Sequence, residues 1–279
     1  MQYTPKLPEE NDNVSSSSPV KDFTILLSGL IGIIVVVYMA LGFAIDWAVE
    51  KMDPRTEAKV FKTISFDLGL DEDHDVRKSA ILQRMVDELN RDCTRLPVKF
   101  KVYAIPDEMI NAMALPGGTI LVFGGLLDIM DSENALMMVL GHELGHFNNR
   151  DHLKGIGRSL VLMVLSSMLM GPNNMLNDWM STSLTLSQLA YSRGQESKAD
   201  AFGLKALQCR YGHVSGSTQF FDTMSKKHHI GNVQKFFVSH PVSEERVANL
   251  KALAAQQGFG EGKLTPLREE LKTEKLMED

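Results

Sequence analysis

The spacing of apolar residues changes several times along the chain, and each change marks an element. From Phe23 to Ile45 nearly every residue is apolar, with Lys21 and Asp22 before the run and Asp46, Glu50 and Lys51 after it. That stretch is close to what an α-helix needs to cross about 30 Å of hydrocarbon. Gly29, Gly32 and Gly42 within it would weaken a soluble helix but are common in membrane spans. A cleaved signal peptide fits poorly, because the run starts late, lacks a positively charged leader and ends without a small-residue cleavage site. A buried soluble helix would show a polar face. The expectation is one transmembrane anchor over residues 23–45, preceded by a disordered, serine-rich tail over residues 1–22.

Beyond the anchor, Asp53-Pro54 opens a short helical segment with proline in its first turn. Between Asp75 and Cys93, residues Leu82, Met85, Val86 and Leu89 recur at helical spacing, and Pro97 ends the region. Val98, Phe100, Val102 and Ala104 then alternate with Lys99, Lys101 and Tyr103, the pattern of a half-buried strand. Two apolar pieces, 112–115 and 119–123, flank Pro116-Gly117-Gly118 and predict a hairpin or a sharply bent edge strand. Ser132 is placed to N-cap a helix that carries Leu136, Val139 and Leu140 toward His142. The apolar run from Leu160 to Met170 is too short to span a bilayer alone and is expected as a core helix rather than a membrane-dipping element. Helices over about 184–208, 214–228 and after Pro241 complete a domain over 46–258, and a charged tail over 259–279 is expected to fray.

Composition narrows the function. The chain has 279 residues, 44% hydrophobic and 23% charged, enough for one catalytic domain whose core can bury a polar metal site. A net charge of -6 and scattered basic residues leave no phosphate-binding stripe, so no nucleic-acid partner is expected. Cys93 and Cys209 are too few for an all-cysteine zinc site or a disulfide framework. They are expected as small buried apolar groups on helices rather than as a pair. Lys51, Arg55, Lys59 and Lys62 follow the span while Lys6 and Lys21 precede it, so a literal positive-inside count puts the catalytic domain in the cytoplasm.

The candidate chemistry lies in Gly141-His142-Glu143-Leu144-Gly145-His146. Residues four apart on a helix share a face, so both imidazoles can reach one ion, and Glu143 leans beside it to take a proton from activated water. Burying these groups among Leu136, Val139, Leu140 and Leu144 is costly unless something pairs with them. A catalytic zinc takes a third protein ligand. His152 lies six residues after His146, where metzincins place their third histidine, although Asn149 stands where those enzymes have glycine. Glu196 is the other candidate, four residues before Asp200 on a predicted helix. That pairing favours it, because Asp200 can accept the far N–H of a ligating histidine.

Several pieces occur in a shared order: Asn111-Ala112-Met113-Ala114-Leu115-Pro116-Gly117-Gly118, then His142 to His146, Glu196 to Asp200, and His240-Pro241 with Arg246 following. Together they resemble the M48 peptidases, over roughly residues 98–250. That resemblance implies an α+β, mainly helical, zincin-like metallopeptidase domain with a small edge sheet behind one transmembrane helix. It implies His142, His146 and Glu196 as ligands of one Zn2+ ion, Glu143 as general base and Asp200 as the acceptor behind a ligating histidine. His240 and Arg246 would stabilise the oxyanion, and Asn111, Ala112, Met113 and Ala114 would lie in the strand that pairs with an extended peptide. The chain lacks the several spans and the helical-repeat region of some branches, and looks closer to single-anchor bacterial envelope members. By that likeness the expected setting is the bacterial inner membrane with the catalytic domain on the extracytoplasmic side, against the charge count. The expected substrates are unfolded or membrane-associated proteins, in envelope or membrane protein quality control.

Overall fold

An unbroken apolar run with proline in its first turn folds as one long helix, α1 (Pro19–Lys51), which contains the expected span. A computed structural model describes residues 18–53, 56–57, 74–170, 191–226, 240 and 244–272. Most of α1 is exposed, and its shielded positions, Ile34, Tyr38, Gly42, Ile45, Asp46 and Val49, form a single stripe at helical spacing.

The domain begins with α2 (Val76–Leu89), capped by Asp75, whose carboxylate accepts from the Lys78 N–H at 2.9 Å. Its apolar stripe, Ile81, Leu82, Met85, Val86 and Leu89, is buried as the spacing predicts. A π-helical turn (Asn90–Thr94) ends it. Strands β1 (Lys101–Ile105), β2 (Ala112–Leu115) and β3 (Thr119–Phe123) follow in the order β1-β3-β2. β1 runs parallel to β3, and β2 pairs antiparallel with it, Ala114 facing Ile120. The expected hairpin is therefore present, with β2 as an outer strand. Its turn needs glycine: Gly118 has φ +89°, and a β-carbon there would stand 2.6 Å from the Lys99 carbonyl oxygen.

After the short α3 (Gly124–Asp128), α4 (Glu133–Asn149) starts at the Ser132 cap, whose hydroxyl accepts from the Ala135 N–H at 3.1 Å. Helix α6 (Arg193–Tyr211) starts with a reciprocal Ser192–Gln195 capping box and ends at Gly212. These two helices approach through small residues. A β-carbon on Gly145 would lie 2.8 Å from the Ala199 Cα, and one on Gly141 would lie 3.0 Å from the Gly203 Cα. Leu136, Leu140, Leu144, Leu204 and Leu207 are fully buried around the contact. Each contributes about 1.5–3 kcal/mol of transfer free energy. The close approach sets His142 and His146 directly against Glu196 and Asp200.

Three expectations are corrected. Helix α5 (Asp151–Met170) is not a core helix: Leu160, Leu162 and Met168 are exposed, and the helix packs along α1 instead. Cys93 and Cys209 are not separate buried groups but form a disulfide, with Cys209 on an exposed face of α6. The charged C-terminal segment does not fray over its described part. The Glu133 N–H donates to the Thr265 carbonyl at 2.9 Å, Ser132 bridges Pro266, and Leu267 and Leu271 are buried. Charge alone misjudged that segment because Leu267 and Leu271, four apart, reach the core. Helix α7 (Gln219–Lys226) starts after a turn at 215–218, and α8 (Glu244–Gln256) follows residue 240. The expectations for Pro54, 184–190, 227–228, Pro241, the tail over 1–17 and residues 273–279 lie outside the described residues.

Candidate metal centre

His142 and His146 lie one turn apart on α4, and Glu196 and Asp200 have the same spacing on the answering face of α6. His240 enters from the C-terminal part. One donor atom from each of His142, His146, Glu196 and His240 lies within 4.8 Å of every other, and all four residues are buried. The Nε2 atoms of His142 and His146 are 3.0 Å apart, and His142 Nε2 is 3.3 Å from His240 Nδ1. Glu196 oxygens stand 3.6 Å and 3.5 Å from the same two Nε2 atoms. Bonds of about 2.0–2.1 Å around a tetrahedral ion separate its donors by about 3.3 Å. The cluster has the size of one coordination shell.

Both α4 histidines are oriented from behind. His142 Nδ1 is 2.9 Å from Asp200 Oδ1, and His146 Nδ1 is 2.9 Å from Asp151 Oδ2. With each Nδ1–H donating to its carboxylate, both Nε2 lone pairs face inward, an arrangement that calls for a cation between them. Gln195 Nε2 donates to Asp151 at 2.9 Å. Arg246 donates through Nε and Nη2 to the two oxygens of Asp200, at 2.8 and 2.7 Å, and its Nη1 is 2.6 Å from Glu196 Oε2. Glu143, Asp151, Glu196 and Asp200 are all buried, with Arg246 as the fixed cation among them. So much buried negative charge is costly without a further cation, so the residues fit a divalent metal.

Burial pulls His142 and His240 below the ordinary imidazole value, against the attraction of Glu196, and keeps them in the neutral ligating form. Burial also opposes charge on His146, but its bonds to Asp151 and Glu196 prevail and raise it to about 9. That position favours a positive charge beside it. Burial pushes the Glu196 and Asp200 carboxyls up, yet both end below the usual carboxylate range. His240 and His142 hold Glu196 ionised, and Arg246 holds Asp200. Glu143 goes the other way: burial raises its carboxyl, and the neighbouring His240 and His146 rings with the Ala114 N–H offset this only in part. A carboxylate moved toward neutrality and set beside the donor cluster suits a general base.

Of the residues singled out in the sequence, His142, His146 and Glu196 meet in one cluster, with Glu143 beside it and Asp200 behind His142. His152 turns away, its Nε2 3.1 Å from Glu57 Oε1. Arg246 differs from the expected oxyanion donor: its guanidinium grips Asp200 and Glu196 and lies over the Phe221 ring, 4.8 Å from its centroid. His240 stands in the donor cluster itself, Nδ1 2.9 Å from Glu196 Oε1 and Nε2 3.7 Å from Glu143 Oε1. Asn111 is fully buried, and its carbonyl accepts from the Phe123 N–H at 3.1 Å, which starts the outer strand of Ala112, Met113 and Ala114. Sequence reasoning missed Asp151. The signal was present, since a second ligating histidine also needs an acceptor behind it. Tyr191, whose ring stacks on His146 with centroids 3.8 Å apart, has no spacing that would have placed it.

A mainly helical domain that sets a histidine–glutamate–x–x–histidine helix against a glutamate from a second helix is a metallopeptidase of the gluzincin kind. The profile of Peptidase family M48 matches residues 76–254, well over half the chain, and the chain belongs to that family. It is 31% identical over 182 residues to Metalloprotease YcaL of Escherichia coli (strain K12), covering 61% of this chain and 67% of that one. Metalloprotease LoiP of the same organism is 27% identical over 188 residues, covering 64% of this chain and 71% of its own. A putative beta-barrel assembly-enhancing protease of Vibrio cholerae is 25% identical over 170 residues, or 56% of this chain and 35% of that one. Membership makes this chain a zinc metalloendopeptidase, and α1 sets an apolar helix of membrane-spanning length before its catalytic domain.

Proposed function

We propose that the chain is a membrane-anchored endopeptidase in which His142, His146 and Glu196 hold one zinc ion and Glu143 is the general base. The observation that carries this reading is the buried donor cluster, with its two α4 histidines oriented by Asp200 and Asp151. When bound, zinc supplies Lewis acidity, polarising the scissile carbonyl and lowering the pKa of water toward about 7. Glu143 takes a proton from the attacking water and returns it to the leaving amine. β2 runs beside Glu143, where the Ala114 N–H favours the ionised carboxylate. An extended substrate pairs with this outer strand through backbone hydrogen bonds, which suits unfolded protein of varied sequence. Arg246 and Asp200 position the ligands.

The setting we assign is the bacterial inner membrane, with α1 in the bilayer, the catalytic domain on the extracytoplasmic side, and membrane or envelope protein quality control as the task. The Cys93–Cys209 disulfide supports that side, because such bonds persist in oxidising compartments. The test is zinc content and casein cleavage of wild type, Glu196→Ala and Glu143→Gln. Glu196→Ala is expected to lose both, and Glu143→Gln to keep zinc and lose cleavage. Full zinc retention in Glu196→Ala, or substantial cleavage by Glu143→Gln, refutes the assignment.

The position of His240 favours a second reading, a tethered chaperone or assembly factor whose zinc site is latent. A fourth protein donor closes a coordination shell that catalysis needs open. His240→Ala separates the two: casein cleavage rises if His240 closes the site and falls if it stabilises the oxyanion.

A further inference from the structure

We infer that the apolar half of α5 is a second membrane-embedded element, lying in the leaflet beside α1 and facing lipid hydrocarbon. This rests on α1 being the membrane anchor proposed above. The two helices run antiparallel. Arg150, at the start of α5, donates to the carbonyls of Val49 and Met52 at the end of α1. Lys154 pairs with Glu50 at 3.3 Å and Arg158 with Asp46. Between these rungs Gly157 brings the helices together, since a β-carbon on it would lie 2.5 Å from Ile45 Cγ2.

The rungs mark a boundary. Asp46 is the first charged residue on α1 after Asp22, and Arg158 is the last on α5, since Ser159 to Met170 carries none. Beyond that level both helices are uncharged and mostly apolar, as far as Phe23 on α1 and Met170 on α5. Val161 and Leu165 are half-buried at the spacing of a helix contact, while Leu160, Leu162 and Met168 turn outward, Met168 being 77% exposed. In water such a face would be an aggregation hazard. Here it continues the exposed apolar surface of α1 at the same height, where Val36, Met39 and Phe43 also point outward. Ser159 to Met170 measures about 18 Å along the axis. That reaches just past the middle of a hydrocarbon core about 30 Å thick. The occupant is therefore acyl chain, through one leaflet.

The consequence concerns the peptidase site. Asp151, which orients His146, is the first residue of this same helix, about 10 Å along the axis from Arg158. Two helices rather than one then hold the catalytic centre close above the bilayer surface, where peptide segments leave the membrane.

The test uses the full chain in phosphatidylcholine nanodiscs with brominated acyl chains, in a Trp47→Phe/Trp179→Phe background. Leu162→Trp and Met168→Trp probe α5, and Phe43→Trp and Val36→Trp probe α1 at matching heights. All four sites are exposed, so a tryptophan is accommodated. Bromine is expected to quench each α5 probe as strongly as its α1 counterpart, with Met168→Trp quenched more by deep than by shallow bromine. If the α1 probes are quenched and both α5 probes are not, α5 faces water or protein and the inference fails while the anchor stands. If no probe is quenched, the anchor reading fails and the inference falls with it.

Discussion

Replacing Arg246 by methionine tests the proposed positioning of the ligands most directly. The guanidinium sits between two buried carboxylates, bonding Asp200 at 2.8 and 2.7 Å and Glu196 at 2.6 Å. Methionine keeps the length and the packing on Phe221 but leaves Asp200 buried with only the His142 N–H to answer it. Removing one partner of such a buried pair costs about 3–5 kcal/mol. At about 2–4 °C per kcal/mol for a domain of this size, the melting temperature should fall by roughly 6–20 °C. Asp200 also sets the His142 ring, so zinc affinity should fall about 10–100-fold, the usual loss when a ligand's outer partner fails. Arg246→Lys, which keeps the charge without the fork, should recover part of both losses. Calorimetry and zinc titration against a competing chelator read the two quantities, and casein cleavage at saturating zinc gives kcat. A fall in kcat of about 10²–10³ with melting temperature and zinc affinity unchanged would refute this reasoning. It would mean that Arg246 faces the reacting carbonyl.

Asp151→Asn should weaken zinc binding about 10–100-fold, since it replaces the carboxylate behind His146 with an amide; unchanged affinity in the same titration would remove Asp151 from the site. The Cys93–Cys209 bond spans a sequence separation of 116 residues. Chain entropy for a loop near that size is worth about 4.7 kcal/mol, so Cys93→Ser/Cys209→Ser should melt well below the oxidised protein. Equal melting temperatures would show that the bond constrains nothing. The raised Glu143 carboxyl makes a pH prediction: the base is competent only when ionised, so kcat/KM should fall on acidification through a pKa above the ordinary carboxylate range. An acid limb at about 4.3 would contradict it.

What was legible in the sequence and what was not divide along a physical line. The histidine pair, Glu143 and the Glu196–Asp200 pair could be read because their geometry is internal to a helix: four residues fix a shared face wherever the helix lies. The hairpin was legible for a similar reason, since Pro116-Gly117-Gly118 admits few turns. Partnership between elements was hidden. Nothing near Cys93 indicates that it pairs with Cys209, and nothing near Arg246 indicates whether it reaches a carbonyl or a carboxylate. Helix α5 is the sharpest case. Apolarity states that a segment leaves water, not what it enters, and α4 and the second half of α5 are both strongly apolar. The difference appears only in their neighbours. Helix α4 meets α6 through Gly141 and Gly145 with leucines closed around it, whereas α5 meets α1 at the charged rungs of Glu50 and Asp46 and then continues beside it with Leu160 and Leu162 outward. An apolar run too short to cross a bilayer can still belong to one when it is docked to a helix that crosses. Length argued for a core helix, and the docking argues for lipid.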